Sequence, residues 1–372
     1  MKTIDLRSDT VTLPAQSMMN AIASAQLGDD VFQEDPTTNE LESLAADTMG
    51  KEAALLVPSG TMANLVAVLS HCERGSEVIL GDQAHTFMYE AGGISAFGGI
   101  HSRQLPNQRD GTLKLEDVES AIRQDNVHFP PTRLICLENT HNRCFGMPLT
   151  VGYTKSVAQL AGDHGIAVHV DGARIFNAAA ALRINVKELT GSVDSVSFCL
   201  SKGLSAPVGS LVCGSAEFVA QARRNRKALG GGMRQAGIIA AAGIEALKTM
   251  VDRISDDHRN AKKLADGIAE IDGLSIDLDT VKTNIVYFSL KRLEIAGEVL
   301  VNRMSELGIH FFELSPHTYR LVTHADVDEN DMDEALNVFK KVMAIYRCSK
   351  KNANICNPFN WNIISFYQFR LR

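Results

Sequence analysis

The chain has 372 residues, of which 45% are hydrophobic and 22% charged, so it has the composition of a folded protein and the length for two domains. Its formal net charge of −7 argues against a nucleic-acid-binding protein, because binding phosphates requires clustered Lys and Arg. No apolar run approaches the roughly 18 residues of a membrane span, so we expect no membrane contact.

Seven short apolar runs between residues 50 and 215 predict the strands of one sheet. They lie at 53–57, 77–80, 101–105, 133–139, 166–170, 193–199 and 210–214. Segments of helical periodicity separate them; in residues 61–72, for example, Met62, Leu65 and Leu69 share one face. Such strands, joined by helices, predict an α/β fold with a mostly parallel seven-stranded sheet flanked by helices. Because ligands of such sheets bind at the carboxyl ends of the strands, functional residues should follow these runs directly.

The pattern changes near residue 250, where a smaller α+β domain is predicted. A long polar helix at 235–271 precedes a strand in NIVYFSL, a helix, strands in GIHFFEL and YRLVTH, and a final helix that ends near Tyr346. The composition changes again at the C-terminus, which predicts an appended tail. We therefore expect four parts, namely an N-terminal segment at 1–27 that contributes to the functional site, a large ligand-binding domain at 28–245, a small domain at 246–348 and the tail at 349–372.

The seven cysteines are odd in number and form no CxxC pair. Several lie in apolar runs, as Cys136 and Cys199 do, where a buried thiol is typical. This pattern favours a reducing compartment, with the cytoplasm as the expected location, and argues against a disulfide framework or a metal site.

Two motifs at strand ends are suited to a phosphorylated ring. The segment PSGT (58–61) joins the strand at 53–57 to a helix, and the free N–H groups of a helix N-terminus suit a phosphate. Asp171 follows the strand at 166–170, where a carboxylate can pair with a protonated ring nitrogen. Each also has a purely structural interpretation, as a turn of small residues and as a helix N-cap.

Two further residues complete a recognisable set. Lys202 follows the strand at 193–199, where a partly desolvated lysine can form an imine, and His85 follows the strand at 77–80. An isolated Lys or His at such a place would be an ordinary surface or structural side chain. Together, however, a phosphate cradle, an aromatic ring, a carboxylate and a lysine at successive strand ends match the components of a pyridoxal-phosphate site.

Long blocks of the sequence resemble the low-specificity L-threonine aldolases, which belong to the fold-type-I pyridoxal-phosphate enzymes. The blocks are IDLRSDTVTLP (4–14), GDDVFQEDPTTNELE (28–42), PSGTMANL (58–65), HTFMYEAGG (85–93), DNVHFPPTRLICLENTHN (125–142), HVDGARIFNAA (169–179), CLSKGLSAPVGSLVCG (199–214), GGGMRQAGI (230–238) and YRLVTH (319–324). The resemblance covers roughly residues 1–347 and implies pyridoxal phosphate as the cofactor.

The resemblance also implies roles for individual residues. The cofactor contacts would be Ser59, Gly60 and Thr61 at the phosphate, His85 on the ring face, Asp171 at the ring nitrogen, Arg174 near the ring hydroxyl and Lys202 as the imine-forming lysine. The substrate contacts would be Ser8, Arg174 and Arg320 at the carboxylate and His128, Tyr89 and Glu90 at the side chain. Lys227 and Arg234 would reach in from a neighbouring subunit, with Arg234 at the start of a helix after Gly230–Gly232. The implied assembly is a homo-oligomer that shares its sites, a dimer or the tetramer usual in such relatives.

The implied reaction is retro-aldol cleavage of L-threonine, L-allo-threonine and other L-3-hydroxy-2-amino acids to glycine and an aldehyde. It requires a base for the hydroxyl proton, for which His85 and His128 are both candidates, in addition to the bound carboxylate. Two other interpretations stay open. A β-eliminating lyase or an aminotransferase of the same fold would use the same lysine, and a cofactor-binding protein without activity would be free to lose it. The residues leave open the preference between threonine and allo-threonine.

Overall fold

The computed structural model describes residues 2–291 and 296–348, so the predicted tail at 349–372 lies outside the described residues. The strands are β1 Ile4–Asp5, β2 Ala53–Val57, β3 Glu77–Gly81, β4 His101–Leu105, β5 Thr132–Glu138, β6 Ala167–Asp171, β7 Ser195–Cys199, β8 Ser210–Gly214, β9 Leu274–Ser275, β10 Ile285–Leu290, β11 Ile309–His310, β12 Phe312–Ser315 and β13 Thr318–Val322. The helices are α1 Gln16–Ala23, α2 Pro36–Met49, α3 Gly60–His71, α4 His85–Met88, α5 Gly93–Ala96, α6 Leu115–Ala121, α7 Val151–Asp163, α8 Ile175–Leu182, α9 Val186–Thr190, α10 Ala216–Ala228, α11 Gly237–Thr249, α12 Ile254–Ala269, α13 Gly297–Glu306 and α14 Glu329–Cys348.

The predicted seven-stranded sheet is confirmed. Its order is β2-β8-β7-β6-β5-β3-β4, and only β8 runs antiparallel to its neighbours. The central strands β3, β7 and β8 are buried along their whole length, which explains their nearly continuous apolar sequences. The edge strand β4 is exposed or half-buried throughout and reads HSRQL. Because five neighbouring strands are parallel, their carboxyl ends meet at one edge, which Asp171 reaches at the end of β6.

A second apolar core belongs to the C-terminal elements. There β12-β13-β10-β9 form an antiparallel sheet, covered by α12 and α14. The N-terminus joins this core, because β1 pairs with β11 in parallel and Ile4 and Leu6 are fully buried in it. The chain then passes to the edge of the large sheet, which carries Ser8 to the neighbourhood of Lys202.

The prediction of one continuous helix at 235–271 is wrong, because the structure has two helices there, α11 and α12. The two helices serve different cores. Helix α11 buries Ala240 and Ile244 against the large sheet, whereas α12 buries Leu264 and Ile268 in the C-terminal core. The break at 250–253 lets the chain turn from one core to the other. Within the part of the chain that the structure describes, no helix combines the length and the apolar character needed to cross a bilayer.

Candidate active site

A cavity of about 160 Å³ lies at the carboxyl ends of β5 and β6 and brings together six of the predicted site residues. They are Ser8, His85, Asp171, Arg174, Lys202 and Arg320. Another cavity, of about 930 Å³, lies between α2 and α10 and contains only Lys227 of the predicted residues. The smaller cavity is the candidate site, because it concentrates the charged and nucleophilic side chains.

Asp171 is an acidic residue of the cavity and is 4% exposed. Its Oδ2 accepts a hydrogen bond from Asn64 Nδ2 at 2.9 Å, and its Oδ1 accepts one from the Ala173 N–H at 3.0 Å. Burial alone would raise the pKa of Asp171, but the nearby His85 and Lys202 side chains and these hydrogen bonds lower it below its ordinary value. The carboxyl is therefore ionised and suited to pairing with a cation.

Lys202 begins the loop after β7, and its half-buried side chain lines the cavity. Its carbonyl oxygen accepts hydrogen bonds from Ser205 N at 2.8 Å and from Thr12 Oγ1 at 3.2 Å, which fix the loop. Glycine at position 172 keeps β6 close to β7, because its N–H donates to Ser197 O at 2.9 Å and a Cβ would lie 2.5 Å from that oxygen. This close approach places the lysine and the carboxylate in one cavity.

His85 and Glu90 form a hydrogen-bonded pair beside Asp171. His85 opens the short helix α4, and its Nδ1 lies 2.8 Å from Glu90 Oε1. One nitrogen or oxygen atom from each of His85, Glu90 and Asp171 lies within 4.8 Å of the others. Burial alone would lower the pKa of His85, but the Glu90 carboxyl raises it, while burial raises the pKa of Glu90 itself. His85 and Glu90 therefore favour keeping a proton between His85 Nδ1 and Glu90 Oε1.

Glu138 is a cavity residue that the sequence interpretation missed. It ends β5, and its Oε2 accepts a hydrogen bond from the His85 N–H at 2.7 Å, while its Oε1 accepts one from the Asn142 N–H at 2.8 Å. Asn142 Oδ1 in turn accepts a hydrogen bond from Arg320 Nη1 at 2.9 Å. One buried carboxylate thus fixes both the turn that carries His85 and the loop that holds Arg320.

Asp9 is a second residue that the sequence interpretation missed. Its carboxylate accepts two hydrogen bonds of 2.6 Å from Nε and Nη2 of Arg174, and both side chains are buried. Burial alone would raise the pKa of Asp9, but the Arg174 guanidinium outweighs this effect and holds the pKa at about 2. The bidentate ion pair fixes Arg174 at the wall of the cavity.

Arg320 lines the cavity with a guanidinium that is only partly satisfied. Its Nη1 donates to Asn142 Oδ1 and its Nη2 to Arg7 O at 3.1 Å, but its buried Nε has no hydrogen-bond partner among the described residues. Burial and the nearby Arg174 both lower the pKa of Arg320. A buried guanidinium with an unsatisfied N–H next to a second guanidinium favours an anion, and its planar fork suits a carboxylate.

The three predicted phosphate-binding residues lie at the N-terminus of α3, outside the cavity wall. Ser59 caps this helix through a 3.2 Å hydrogen bond from the Met62 N–H to its Oγ, while Thr61 is exposed. Gly60 approaches β7 closely, since a Cβ there would lie 2.8 Å from Cys199 Sγ. The helix N-terminus therefore contacts the strand that leads to Lys202.

Three predicted residues are not part of the cavity wall. His128 is in an exposed loop between α6 and β5, and Lys227 is exposed in the last turn of α10. Tyr89 is 49% exposed at the end of α4, but its ring lies next to that of the cavity residue His85, with the ring centroids 5.6 Å apart.

The expectation that Arg234 opens a helix is wrong, because α11 begins at Gly237. The physical reason is a pair of contacts with the segment before α2. Arg234 O accepts a hydrogen bond from the Asp30 N–H at 2.9 Å, and Arg234 Nη1 forms an ion pair with Asp29 Oδ2 at 2.9 Å. These contacts hold residue 234 in the turn before the helix, with 55% of its side chain exposed.

The side chains of the cavity fit pyridoxal phosphate. Lys202 offers an amine, Asp171 an ionised carboxylate, His85 an aromatic ring and Arg320 an unsatisfied N–H for an anionic group. The N-terminus of α3, packed on β7, offers backbone donors for a phosphate.

Comparison with known proteins identifies similar chains and a similar fold. The model of the beta-eliminating lyase family matches residues 5–291. Low-specificity L-threonine aldolase 1 of Arabidopsis thaliana is 45% identical over 347 residues, which cover 92% of this chain and 97% of the relative. Low specificity L-threonine aldolase of Escherichia coli K12 is 44% identical over 343 residues, 92% of this chain and 99% of the relative. In the solved structure of Leishmania major threonine aldolase the fold recurs with a TM-score of 0.77 at 18% identity, over 91% of this chain and 99% of that one.

Proposed function

Since the chain belongs to the low-specificity L-threonine aldolase family, we propose that it cleaves L-threonine and L-allo-threonine, with other L-3-hydroxy-2-amino acids, to glycine and an aldehyde. One observation carries the proposal. A single cavity combines Lys202, Asp171 and His85 with the guanidinium of Arg320. A pyridoxal-phosphate reaction of an amino acid requires an amine that binds the cofactor, contacts to the cofactor ring and a group that binds the substrate carboxylate. These side chains provide all three.

Pyridoxal phosphate, when bound, supplies the electron sink that lets the bond between Cα and Cβ break. Lys202 would hold the cofactor covalently, and Asp171, which is ionised, would keep the ring nitrogen protonated. His85 would lie on the ring face, and Ser59, Gly60 and Thr61 would bind the phosphate at the N-terminus of α3.

Three residues would fix the substrate carboxylate. Arg320 and Ser8 both line the cavity, and the Arg320 guanidinium suits a carboxylate. Arg174 is held in place by Asp9, so its guanidinium does not have to be ordered when the substrate binds. A fixed carboxylate sets the direction of the bond between Cα and Cβ. This direction determines which of the bonds at Cα breaks.

A base must accept the substrate hydroxyl proton as the aldehyde leaves. Nδ1 of His85 is engaged by Glu90, so its other ring nitrogen is the available acceptor. His128, with Tyr89 and Glu90 near the substrate side chain, is the second candidate, and its exposed loop would have to close over the site or enter from a neighbouring subunit. A base of this kind typically contributes ~10²–10⁴-fold in rate.

A product analysis tests the reaction. Purified protein loaded with pyridoxal phosphate is incubated with L-threonine and, separately, with L-allo-threonine. Glycine and acetaldehyde should appear in equal amounts. The matching family model is named for beta-eliminating lyases, so elimination is the second candidate. Ammonia and a 2-oxo acid in place of glycine would establish that activity instead.

The proposal extends to assembly and location. Lys227 and Arg234 are exposed and would reach the phosphate of a neighbouring subunit, in a homodimer that assembles further into a tetramer. A cytoplasmic location is part of the proposal, because the cysteines are scattered and five of them, Cys72, Cys136, Cys144, Cys199 and Cys213, are buried free thiols. We also propose a large cofactor-binding domain at 28–245 and a small domain at 246–348, with residues 1–27 contributing to the site between them.

A further inference from the structure

Asn64 lies at the centre of the buried polar network next to the cavity. It is in α3, is 2% exposed, and its Nδ2 donates to Glu90 Oε1 at 2.8 Å and to Asp171 Oδ2 at 2.9 Å. The two N–H groups of one amide thus go to two different carboxyl groups. The roles described so far use only its hydrogen bond to Asp171.

The orientation of the Asn64 amide follows from its partners. A carboxylate only accepts hydrogen bonds, so the NH₂ group must face Glu90 and Asp171. The amide oxygen then faces the other way, where it accepts a hydrogen bond from Ser197 Oγ at 2.8 Å and lies 3.4 Å from His169 Nε2. The four partners therefore allow only one orientation of this side chain.

The hydrogen bonds continue with the same polarity beyond Asn64. Burial lowers the pKa of His169 to about 3, so its ring is neutral and has one N–H. We expect this N–H on Nε2, which faces Asn64 Oδ1; Nδ1 then accepts from Ser195 Oγ at 2.9 Å, and that hydroxyl accepts from His71 Nε2 at 2.7 Å. With this tautomer, each donor from His71 onward points toward the two carboxyl groups.

We propose that Asn64 is a positioning residue that keeps Asp171 ionised next to Glu90 by giving each carboxyl group one N–H. Two carboxyl groups this close in a buried site repel each other when both are charged, and the loss of a donor favours the protonated form. The other groups that face Asp171 are His85, Lys202 and the Ala173 N–H. The proposal deepens the proposed function and rests on it, since an ionised Asp171 is what the cofactor ring nitrogen requires.

Carboxyl titration of the apoprotein tests this role. With aspartate and glutamate labelled with ¹³C at the side-chain carboxyl, the Asp171 signal is identified by its loss in Asp171→Asn. Asn64→Leu should raise the pKa of the Asp171 carboxyl by about one, because a hydrogen bond to a charged group is lost. The matched control is Asn177→Leu. Asn177 is also 2% exposed, but its amide donates to Asn284 and His258 and to no carboxylate, so the Asp171 titration should not change.

Two further measurements decide the matter even if Asn64→Leu does not fold. Ser197→Ala removes the hydroxyl that holds the amide oxygen, and it should raise the pKa of Asp171 by a smaller amount. In the wild-type protein, ¹⁵N spectra should show the proton of His169 on Nε2. A proton on Nδ1, or an Asp171 titration unchanged in the folded variants, would overturn the proposal. These measurements use neither cofactor nor substrate. A negative result would therefore refute the role of Asn64 without bearing on the product analysis that tests the proposed function.

Discussion

The Asp9–Arg174 ion pair is the most tightly bound charged pair of the candidate site, and its loss should be costly. Asp9→Asn leaves Arg174 buried without its counter-charge, which should lower the free energy of unfolding by roughly 3–5 kcal/mol at neutral pH. Urea denaturation measures this loss. Asp5→Asn is the matched control four residues away, because Asp5 pairs with the half-exposed Arg7 and such a pair contributes less than about 1 kcal/mol. Equal losses in both variants would contradict the prediction.

The same ion pair has a defined pH dependence. The pKa of Asp9 is lowered from 3.8 to about 2, so its contribution is complete above the unfolded-state value and disappears as the pH falls through the folded-state value. The difference in unfolding free energy between wild type and Asp9→Asn should therefore narrow by about 2 kcal/mol between pH 7 and pH 2. A difference that stays constant across this window would show that the carboxyl is not ionised in the fold.

Lys202 provides the second prediction for a single residue. Lys202→Ala removes the amine that would bind the cofactor covalently, so the visible absorbance of the lysine-linked cofactor and nearly all turnover should be lost. Lys155→Ala is the control, because Lys155 is exposed on α7 and does not line the cavity. Absorbance spectra and the glycine assay distinguish the two variants. A Lys202→Ala protein that kept both signals would refute the proposed site.

At the scale of elements, β1 connects the second core to the cavity, because Leu6 is buried in that core and Ser8 lines the site. Leu6→Ala should lower the free energy of unfolding by about 2–5 kcal/mol through the cavity it leaves. Because Ser8 and Asp9 follow directly, the KM for L-threonine should also rise. Leu13→Ala is the control in the same segment, since Leu13 is 72% exposed, and both effects should be small. Comparable losses in the two variants would show that β1 does not anchor the segment.

How much of the fold the sequence predicts depends on how local each signal is. Strands such as β3 and β8 are found because most of their residues are apolar, consecutive and buried on both faces. Two-residue strands such as β1 and β9 carry no such pattern, since they exist only by pairing with a distant strand. The break between α11 and α12 is also hidden, because the apolar spacing continues across it while the core behind it changes.

The same distinction applies to the candidate site. Lys202, Asp171 and His85 follow strands, so parallel topology alone predicts that they meet. The roles of Asp9 and Glu138 depend on contacts with residues far away in the chain; Asp9 and Arg174, for example, are 165 positions apart. Both lie within blocks that resemble the aldolases, yet their residue types and spacing indicate no particular partner. Tertiary packing alone pairs them.

At the scale of the whole molecule, the open question is whether one chain completes its own site. Arg234 is 55% exposed and pairs with Asp29 of its own chain, so a purely structural role is a real alternative to binding a neighbour's phosphate.

Lys202→Ala and Arg234→Ala should each be nearly inactive as homo-oligomers. In a hybrid dimer, however, one site would carry both lesions while the other would have Lys202 and the partner subunit's Arg234 intact. Hybrids purified through two different tags should therefore recover about half the wild-type glycine production. If both residues served a site within one chain, every site in the hybrid would keep a lesion. Purified hybrids without recovered activity would thus exclude a shared site, and a fully active Arg234→Ala homo-oligomer would leave this arginine with structural contacts within its own chain, to Asp29 and to the Phe32 ring.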